Sequence, residues 1–328
     1  MAKLKNQFEA NAFFILYHFL QYISFNGMTF LFHSTKLRLI CKYRLYQLVN
    51  RGLLCHNNHG DKMKKILVIG TGGTIGAKSG KSVTLDSPLK ITELYSNPQN
   101  AEFECAAPFE IFSEHSDPQF LQNLCSYVQN IDFEKFAGVI LLHGSDTMTF
   151  TGALLAHLFP EKRLVLVGAD KPPDNPDSNA LANFDCAVRH LLFSGPTGVY
   201  IAYDGLHHAW KTTAADCTDT FREANVSFCP VEAPKFNAKN ILIITPHPCI
   251  NYDAFNLDGV DAVIHTMYHS ATAPKGSEEF SRRCIEKGIQ FYFVTHRSSA
   301  DYETAENLSN IMFSSTVENA WAKLLLTK

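Results

Sequence analysis

Short apolar runs alternate with segments of helical periodicity along most of the chain after residue 62. The first five runs are residues 66–69, 109–112, 139–142, 164–167 and 199–203. An unbroken apolar run is typical of a strand buried on both faces, and its alternation with helices indicates a parallel, helix-covered sheet. The carboxyl ends of such strands share one edge of the sheet, where open α/β folds bind their ligands.

A second alternating set, at residues 241–244, 262–265 and 291–294, predicts a smaller domain. The segment before it contains prolines and lacks periodicity, as linkers do. The pattern therefore predicts an α/β chain with three parts beyond the first 62 residues. They are a larger N-terminal parallel-sheet domain with helices on both faces (63–226), a linker (227–239) and a smaller C-terminal α/β domain (240–328).

The first 62 residues differ in composition from the rest. They carry eight Lys or Arg residues against two acidic ones, and residues 11–32 are rich in Phe, Ile, Leu and Tyr. Polar residues interrupt that stretch, so three interpretations stay open: a disordered or non-native leader, a membrane-associated anchor, and accessory helices. Met63-Lys64-Lys65-Ile66 resembles a natural protein start directly before the first strand, which favours the leader.

Composition limits the compartment and the partners. The chain of 328 residues has a net charge of −3, and nothing in residues 63–328 indicates a nucleic-acid or membrane partner. Its nine cysteines form no C-x-x-C pair and are odd in number, which argues against a disulfide framework and for a reducing compartment. We therefore expect a cytoplasmic protein.

The first candidate motif is His143-Gly144-Ser145-Asp146, which lies between the strand at 139–142 and a helical pattern that begins at Thr147. The amide N–H groups at a helix start favour a carboxylate or a developing oxyanion. Taken alone, the same turn is equally well explained as an Asp N-cap.

The second candidate motif runs from Lys65 to Gly76 and has glycines at 70, 72 and 73, which let the backbone approach a ligand closely. A dinucleotide-binding fingerprint fits badly, because Ile75 stands at the third glycine position. Threonines at 71 and 74 indicate instead a site that needs hydroxyl groups.

Together, the two motifs resemble those of the bacterial-type L-asparaginase and glutaminase family, and the resemblance covers about residues 64–328. It implies hydrolysis of the amino acid L-asparagine to L-aspartate and ammonia through an acyl-enzyme on Thr74. Ser145, Asp146 and Lys211 would form the proton relay. The resemblance also implies a homodimer or homotetramer that needs no cofactor and no metal.

The same resemblance implies the substrate contacts. Ser113 would bind the α-carboxylate and Glu114 the α-ammonium of the substrate, with Gly73 and Gly144 beside them. Thr272 lies in a turn that, in the family, reaches the site of a neighbouring subunit.

Two departures from the family's pattern bear on activity. The family's loop brings a tyrosine to the site, but no tyrosine follows Thr74 here before Tyr95, and residues 76–82 are either a mobile lid or an ordinary hairpin. Placing Lys211 at the family's lysine position needs a one-residue insertion, since alignment from the other side selects Thr212.

Substitutions also alter the turn after residues 164–167, where the family's Ser, Arg and Asp are replaced by Ala169, Lys171 and Asn179. The adjacent histidines at 207 and 208 raise the question of a metal site. We disfavour it, because neighbouring residues of a strand point to different faces and no third ligand has usable spacing.

Other functions stay open. A non-catalytic amino-acid sensor would keep Ser113, Glu114 and Asp146 and lose the relay. A glutaminase or a tRNA-linked amidotransferase subunit shares the two central motifs, although residues 1–62 do not resemble the additional domain of such a subunit. A nucleotide-binding oxidoreductase is disfavoured by the poor glycine fingerprint.

Overall fold

The computed structural model describes residues 65–80, 83–193, 195–213 and 218–327. The leader predicted at residues 1–62 lies outside this part of the chain. The helices are α1 (Lys90–Leu94), α2 (Pro118–Gln129), α3 (Met148–Leu158), α4 (Ala180–Leu192), α5 (Ser277–Glu286) and α6 (Val317–Leu326). None of the helices in the described ranges is both long and apolar enough to span a bilayer.

The strands belong to two larger sheets and two short hairpins. They are β1 (Lys65–Gly70), β2 (Ala77–Lys78), β3 (Thr84–Leu85), β4 (Glu102–Ala106), β5 (Gly138–Leu142), β6 (Arg163–Val167), β7 (Gly198–Ala202), β8 (Leu206–His208), β9 (Thr212–Thr213), β10 (Arg222–Glu223), β11 (Ile241–Ile244), β12 (Ala262–Thr266), β13 (Gln290–Val294) and β14 (Ile311–Met312). The pairs β2–β3 and β9–β10 are the hairpins.

The larger sheet has six strands in the order β4-β1-β5-β6-β7-β8. Its pairings are parallel except the last, between β7 and β8. Alternate residues of β1 enter opposite cores: Leu67 and Ile69 pack with α2 and α3, whereas Ile66 and Val68 pack with α4. Helices on both faces explain why the central strands are continuous apolar runs, and the predicted α/β class is confirmed.

The prediction of a strand at residues 109–112 is wrong. The strand that pairs with the outer side of β1 is β4, an edge strand whose side chains are half-buried or exposed. Its acidic residues face the solvent, and Glu104 accepts from Lys65 Nζ at 2.8 Å. An edge strand lacks the apolar run that marks a buried one, so the hydrophobic pattern did not indicate it. Ile111 forms only an isolated bridge with Gly72.

The smaller sheet has the order β11-β12-β13-β14 and is parallel throughout. α5 covers one face, where Phe280 packs with Phe291, and α6 covers the other. α6 also packs on α3, which belongs to the larger sheet's layer. Residues 224–240, between β10 and β11, form no helix or strand. The linker at 227–239 and the domain division there stay predictions.

Candidate active site

Two glycine-bearing turns meet at the carboxyl edge of the larger sheet. Gly73 follows β1 with a φ of +70°, and Gly144 follows β5. A Cβ atom placed on Gly73 would lie 2.3 Å from Gly144 Cα, and one placed on Gly144 would lie 2.4 Å from Ser113 Oγ. Only glycine permits approaches this close. Thr74 and Ser145 are the next residues along two turns whose glycine backbones meet beside Ser113.

Hydrogen bonds hold these turns together. The Thr71 hydroxyl donates to Leu142 O at 2.7 Å, and Ile111 N donates to Thr71 O at 2.9 Å. The Thr147 hydroxyl donates to Ser113 O at 3.0 Å. The ends of β1 and β5 and the turn at Ser113 thus form one connected frame.

Most predicted side chains in this frame have no partner among the residues that the structure describes. Thr74 and Ser145 are half-buried, and Glu114 and Asp146 are exposed. In the described part of the chain, none of these four side chains forms a hydrogen bond or an ion pair. Ser113 is buried, with 4% of its surface exposed. Polar groups that converge at strand ends without partners are available to a polar ligand.

His143, between β5 and Gly144, is buried beside this frame. Its Nδ1 lies 2.8 Å from Gly144 O, and because a carbonyl oxygen only accepts, Nδ1 carries the proton and donates. Burial lowers the pKa of His143 to about 4, so the imidazole is neutral near pH 7. The bond orients the peptide group between Gly144 and Ser145, whose N–H is a candidate oxyanion donor.

Lys211 does not make the contact that the relay requires. Its Nζ lies 2.8 Å from Glu223 Oε2. Glu223 also accepts from His208 N at 2.6 Å and from His208 Nδ1 at 2.9 Å. Although burial opposes it, the hydrogen bond from Lys211 lowers the pKa of Glu223 to about 2. Within the described residues, Lys211 makes no polar contact with Ser145 or Asp146, so its place in the relay stays a prediction.

The hairpin of β9 and β10 explains the pairing of Lys211. Its register sets Glu223 opposite Thr212, so the carboxylate meets the lysine at the neighbouring position. Thr212, the alternative at the family's lysine position, is buried, and its hydroxyl donates to His208 O at 2.8 Å. The hydroxyl of Thr212 is therefore committed to its own turn.

Thr272 lies outside this frame, on the turn that follows β12 of the smaller sheet. Its Oγ1 is 3.0 Å from Ser270 Oγ. In the ranges that the structure describes, it forms no hydrogen bond with the side chains gathered around Gly73. Its expected role at a neighbouring subunit's site stays a prediction.

The proline turn after β6 supports the sheet edge through amide side chains. Asn183 Nδ2 donates to Gly168 O at 2.9 Å, and Asn183 Oδ1 accepts from Asp204 N at 2.9 Å. Asn179 exchanges two hydrogen bonds with Asp170, at 2.9 and 3.0 Å. These bonds join the ends of β6 and β7, so the turn is held even with Asn179 in place of the family's Asp.

Sequence reasoning missed two acidic residues that hold segments next to predicted site residues. They are Glu223, described above, and Asp174, which lies in the loop after β6 and accepts from Ser79 and Lys90. The partners of Asp174 are 95 and 84 residues away along the chain. No periodicity or motif signals a contact between loops at that separation.

Related sequences are known. Residues 65–235 match the family described as "Asparaginase, N-terminal". One of the glutamyl-tRNA(Gln) amidotransferase subunits of Pyrococcus horikoshii is 32% identical over 131 residues, which are 38% of this chain and 30% of that relative. The corresponding protein of Thermococcus kodakarensis is 29% identical over 180 residues, 50% of this chain and 41% of that relative. The chain thus spans less than half the length of these relatives.

Solved structures share the fold. L-asparaginase I of Vibrio cholerae superposes with a TM-score of 0.68 at 19% identity, covering 81% of this chain and 92% of that chain. A probable cytoplasmic L-asparaginase from Campylobacter jejuni superposes with a TM-score of 0.67 at 16% identity, covering 80% and 94%. At these identities, the likeness establishes the fold alone.

Proposed function

The chain belongs to the asparaginase family, and we propose that it is an amide hydrolase that converts L-asparagine to L-aspartate and ammonia. One observation carries the proposal: the hydroxyl groups of Thr74 and Ser145, which have no partner among the described residues, follow glycines whose backbones are in contact. A nucleophile and a group that can take up its proton need this proximity.

In the proposed reaction, Thr74 Oγ1 attacks the side-chain amide carbon of the substrate. The hydroxyl proton reaches the departing nitrogen, the C–N bond breaks, and ammonia leaves an ester on Thr74. Water then cleaves the ester, which restores the hydroxyl and releases the carboxylate product. Gly73 N already donates to Ile111 O at 3.0 Å, so Ser145 N is the better candidate to stabilise the oxyanion.

The charges around the hydroxyl groups suit a free amino acid. The carboxylates of Glu114 and Asp146 are unpaired among the described residues and can each accept from a substrate ammonium. The buried Ser113 hydroxyl, next to Gly144, can donate to the α-carboxylate. These groups would bind the α-amino and α-carboxylate groups of the substrate, so that its side-chain amide points toward Thr74.

The base in this scheme is Lys211, which must leave Glu223 before it can reach Ser145. The Lys211–Glu223 ion pair, at 2.8 Å, therefore supports a second candidate function. A non-catalytic sensor would bind an amino acid through Ser113, Glu114 and Asp146 and release no ammonia.

Glutamine is the other candidate substrate, because the curated relatives named above are glutamyl-tRNA(Gln) amidotransferase subunits.

We also propose a cytoplasmic location and a homo-oligomer in which Thr272 contributes to the active site of a neighbouring subunit. The location is supported by the free thiols among the described cysteines and by the likeness to a probable cytoplasmic L-asparaginase.

The test incubates the purified full chain with L-asparagine, L-glutamine and their D forms and measures ammonia, while calorimetry measures binding. Ammonia from L-asparagine that disappears in Thr74→Ala supports the proposal. Binding without ammonia supports the sensor. Ammonia from L-glutamine alone would move the assignment to a glutaminase, and full turnover in Thr74→Ala would reject Thr74 as the nucleophile.

A further inference from the structure

Asp174 connects three segments that lie beside the candidate site. Its Oδ1 accepts from Ser79 Oγ at 3.0 Å and from Ser79 N at 3.3 Å. Its Oδ2 is 3.1 Å from Lys90 Nζ, which also lies 3.0 Å from Asp86 Oδ2. One carboxylate thus joins the hairpin β2–β3, the start of α1 and the loop after β6.

Asp174 is an exposed residue that pairs with a largely covered lysine. The side chain of Lys90 is 15% exposed and that of Asp174 is 28% exposed, and both carboxylate oxygens have partners. The hydrogen bond from Lys90 lowers the pKa of Asp174, so the carboxylate is charged near neutral pH. Asp177, on the same loop, is also exposed, but its side chain contacts no charged partner among the described residues.

The segments joined by Asp174 lead directly to Thr74. Thr74–Gly76 is a single 3-10 turn immediately before β2. Asp86 N donates to Gly76 O at 3.1 Å, and a Cβ atom on Gly76 would lie 3.0 Å from Pro88 Cα. Residues 86–88, between β3 and α1, therefore pack against the end of the turn that carries Thr74.

We propose that Asp174 is a positioning residue: it fastens the hairpin β2–β3 and the start of α1 to the loop after β6, and thereby orients Thr74 toward the substrate. The inference rests on the proposed function of Thr74. The contacts of Asp174 would also anchor the segment after Thr74, where the sequence has no tyrosine before Tyr95.

Hydrogen exchange tests the clamp without reference to activity. Asp174→Ala removes both acceptor oxygens and should speed exchange of the β2–β3 amides and of Asp86 N by about 10-fold. Lys90→Met, which removes the other half of the ion pair but keeps the bonds to Ser79, should speed exchange mainly at Asp86 N. Asp177→Ala is the matched control on the same loop and should leave these amides unchanged. Equal exchange rates in Asp174→Ala and Asp177→Ala would overturn the clamp.

Steady-state kinetics then test the positioning role. In an active wild-type enzyme, Asp174→Ala should lower kcat about 10-fold or more, since a shift of about 1 Å at the reacting group can cost 100-fold. KM should change much less, because the substrate contacts lie on other segments. Asp174→Glu keeps a carboxylate and should recover part of the kcat. A kcat equal to that of Asp177→Ala would overturn the positioning role.

Failure of this inference is distinguishable from failure of the proposed function. If the wild-type protein releases no ammonia from any substrate tested, the hydrolase proposal fails and the positioning role fails with it. Faster exchange in Asp174→Ala would then still support the clamp as a connection between the three segments. If the wild type is active and Asp174→Ala exchanges and turns over like the control, only the inference about Asp174 fails.

Discussion

Gly73→Ala perturbs the backbone contact around which the candidate site is built. Gly73 has φ 70° and ψ −174°, a conformation that is essentially reserved for glycine. The added Cβ would lie 2.3 Å from Gly144 Cα and 2.4 Å from Gly144 N. Both are backbone atoms, so no side-chain rotation relieves the overlap. The two turns must separate by about 1 Å to restore an ordinary van der Waals distance.

Two costs contribute to the expected effect of Gly73→Ala. Holding a residue other than glycine in this conformation costs about 1–3 kcal/mol. Forcing a packed contact apart costs about 1–3 kcal/mol more. Each 1 kcal/mol lost from the unfolding free energy lowers Tm by about 2 °C in a chain of this length. The separation also moves Thr74 relative to Ser145, so kcat should fall about 100-fold.

The assay compares Tm and kcat with those of Gly259→Ala. Gly259 has a φ of +73°, and nothing lies within 4 Å of its added Cβ, so this control carries conformational strain alone and should keep the wild-type kcat. Gly144→Ala tests the other side of the contact: its φ is −69°, so the backbone is not strained, but the new Cβ would lie 2.6 Å from Ser113 Cβ and 2.4 Å from Ser113 Oγ. The turn that carries Ser113 must move, so KM should rise. If Gly73→Ala melts like Gly259→Ala and keeps its kcat, the close approach and the site built on it are wrong.

Three further changes test separate parts of the account. Thr74→Ala should lower ammonia release about 10³-fold or more at an unchanged Tm, and retained turnover would transfer the nucleophile to Ser145. Lys211→Met should lower kcat about 10²–10⁴-fold, and an unchanged kcat would exclude Lys211 as the base. Burial lowers the pKa of His157, which bonds Asn319, from 6.5 to about 4. The stability from this shift is therefore full above pH 6.5 and is lost as the pH falls through 4. The unfolding free energy, measured by denaturant titration at each pH, should fall less steeply in His157→Gln than in the wild type between pH 6.5 and pH 4. Parallel falls in the two proteins would refute the pKa shift.

The hydrophobic pattern predicts the central strands well and the edges poorly. β5 is buried along its whole length, so residues 139–142 stand out as an apolar run. β4 pairs on one side only and carries Glu102 and Glu104, so its alternating residues do not stand out. β14 has two residues, too few for any period to register. A strand that is buried on both faces shows in the sequence as a continuous apolar run, whereas an edge strand is partly exposed and has no such run.

The site follows the same division between local and distant contacts. The approach of the turns that carry Thr74 and Ser145 could be predicted, because parallel strands bring their carboxyl ends to one edge and each turn has a glycine at such an end. The partner of Lys211 could not be predicted, because the contact with Glu223 depends on the register of the β9–β10 hairpin. The partners of Asp174 depend on the packing of loops far apart in sequence.

A covalent ester on Thr74 is the central claim, and it can be observed directly. Purified protein is mixed with L-asparagine, quenched in acid during the first turnover, digested and analysed by mass spectrometry. We predict an aspartyl ester on the peptide that contains Thr74, formed together with the first ammonia and absent from Thr74→Ala. Ammonia release with the ester on the Ser145 peptide, or substrate binding with neither ester nor ammonia, would contradict the claim.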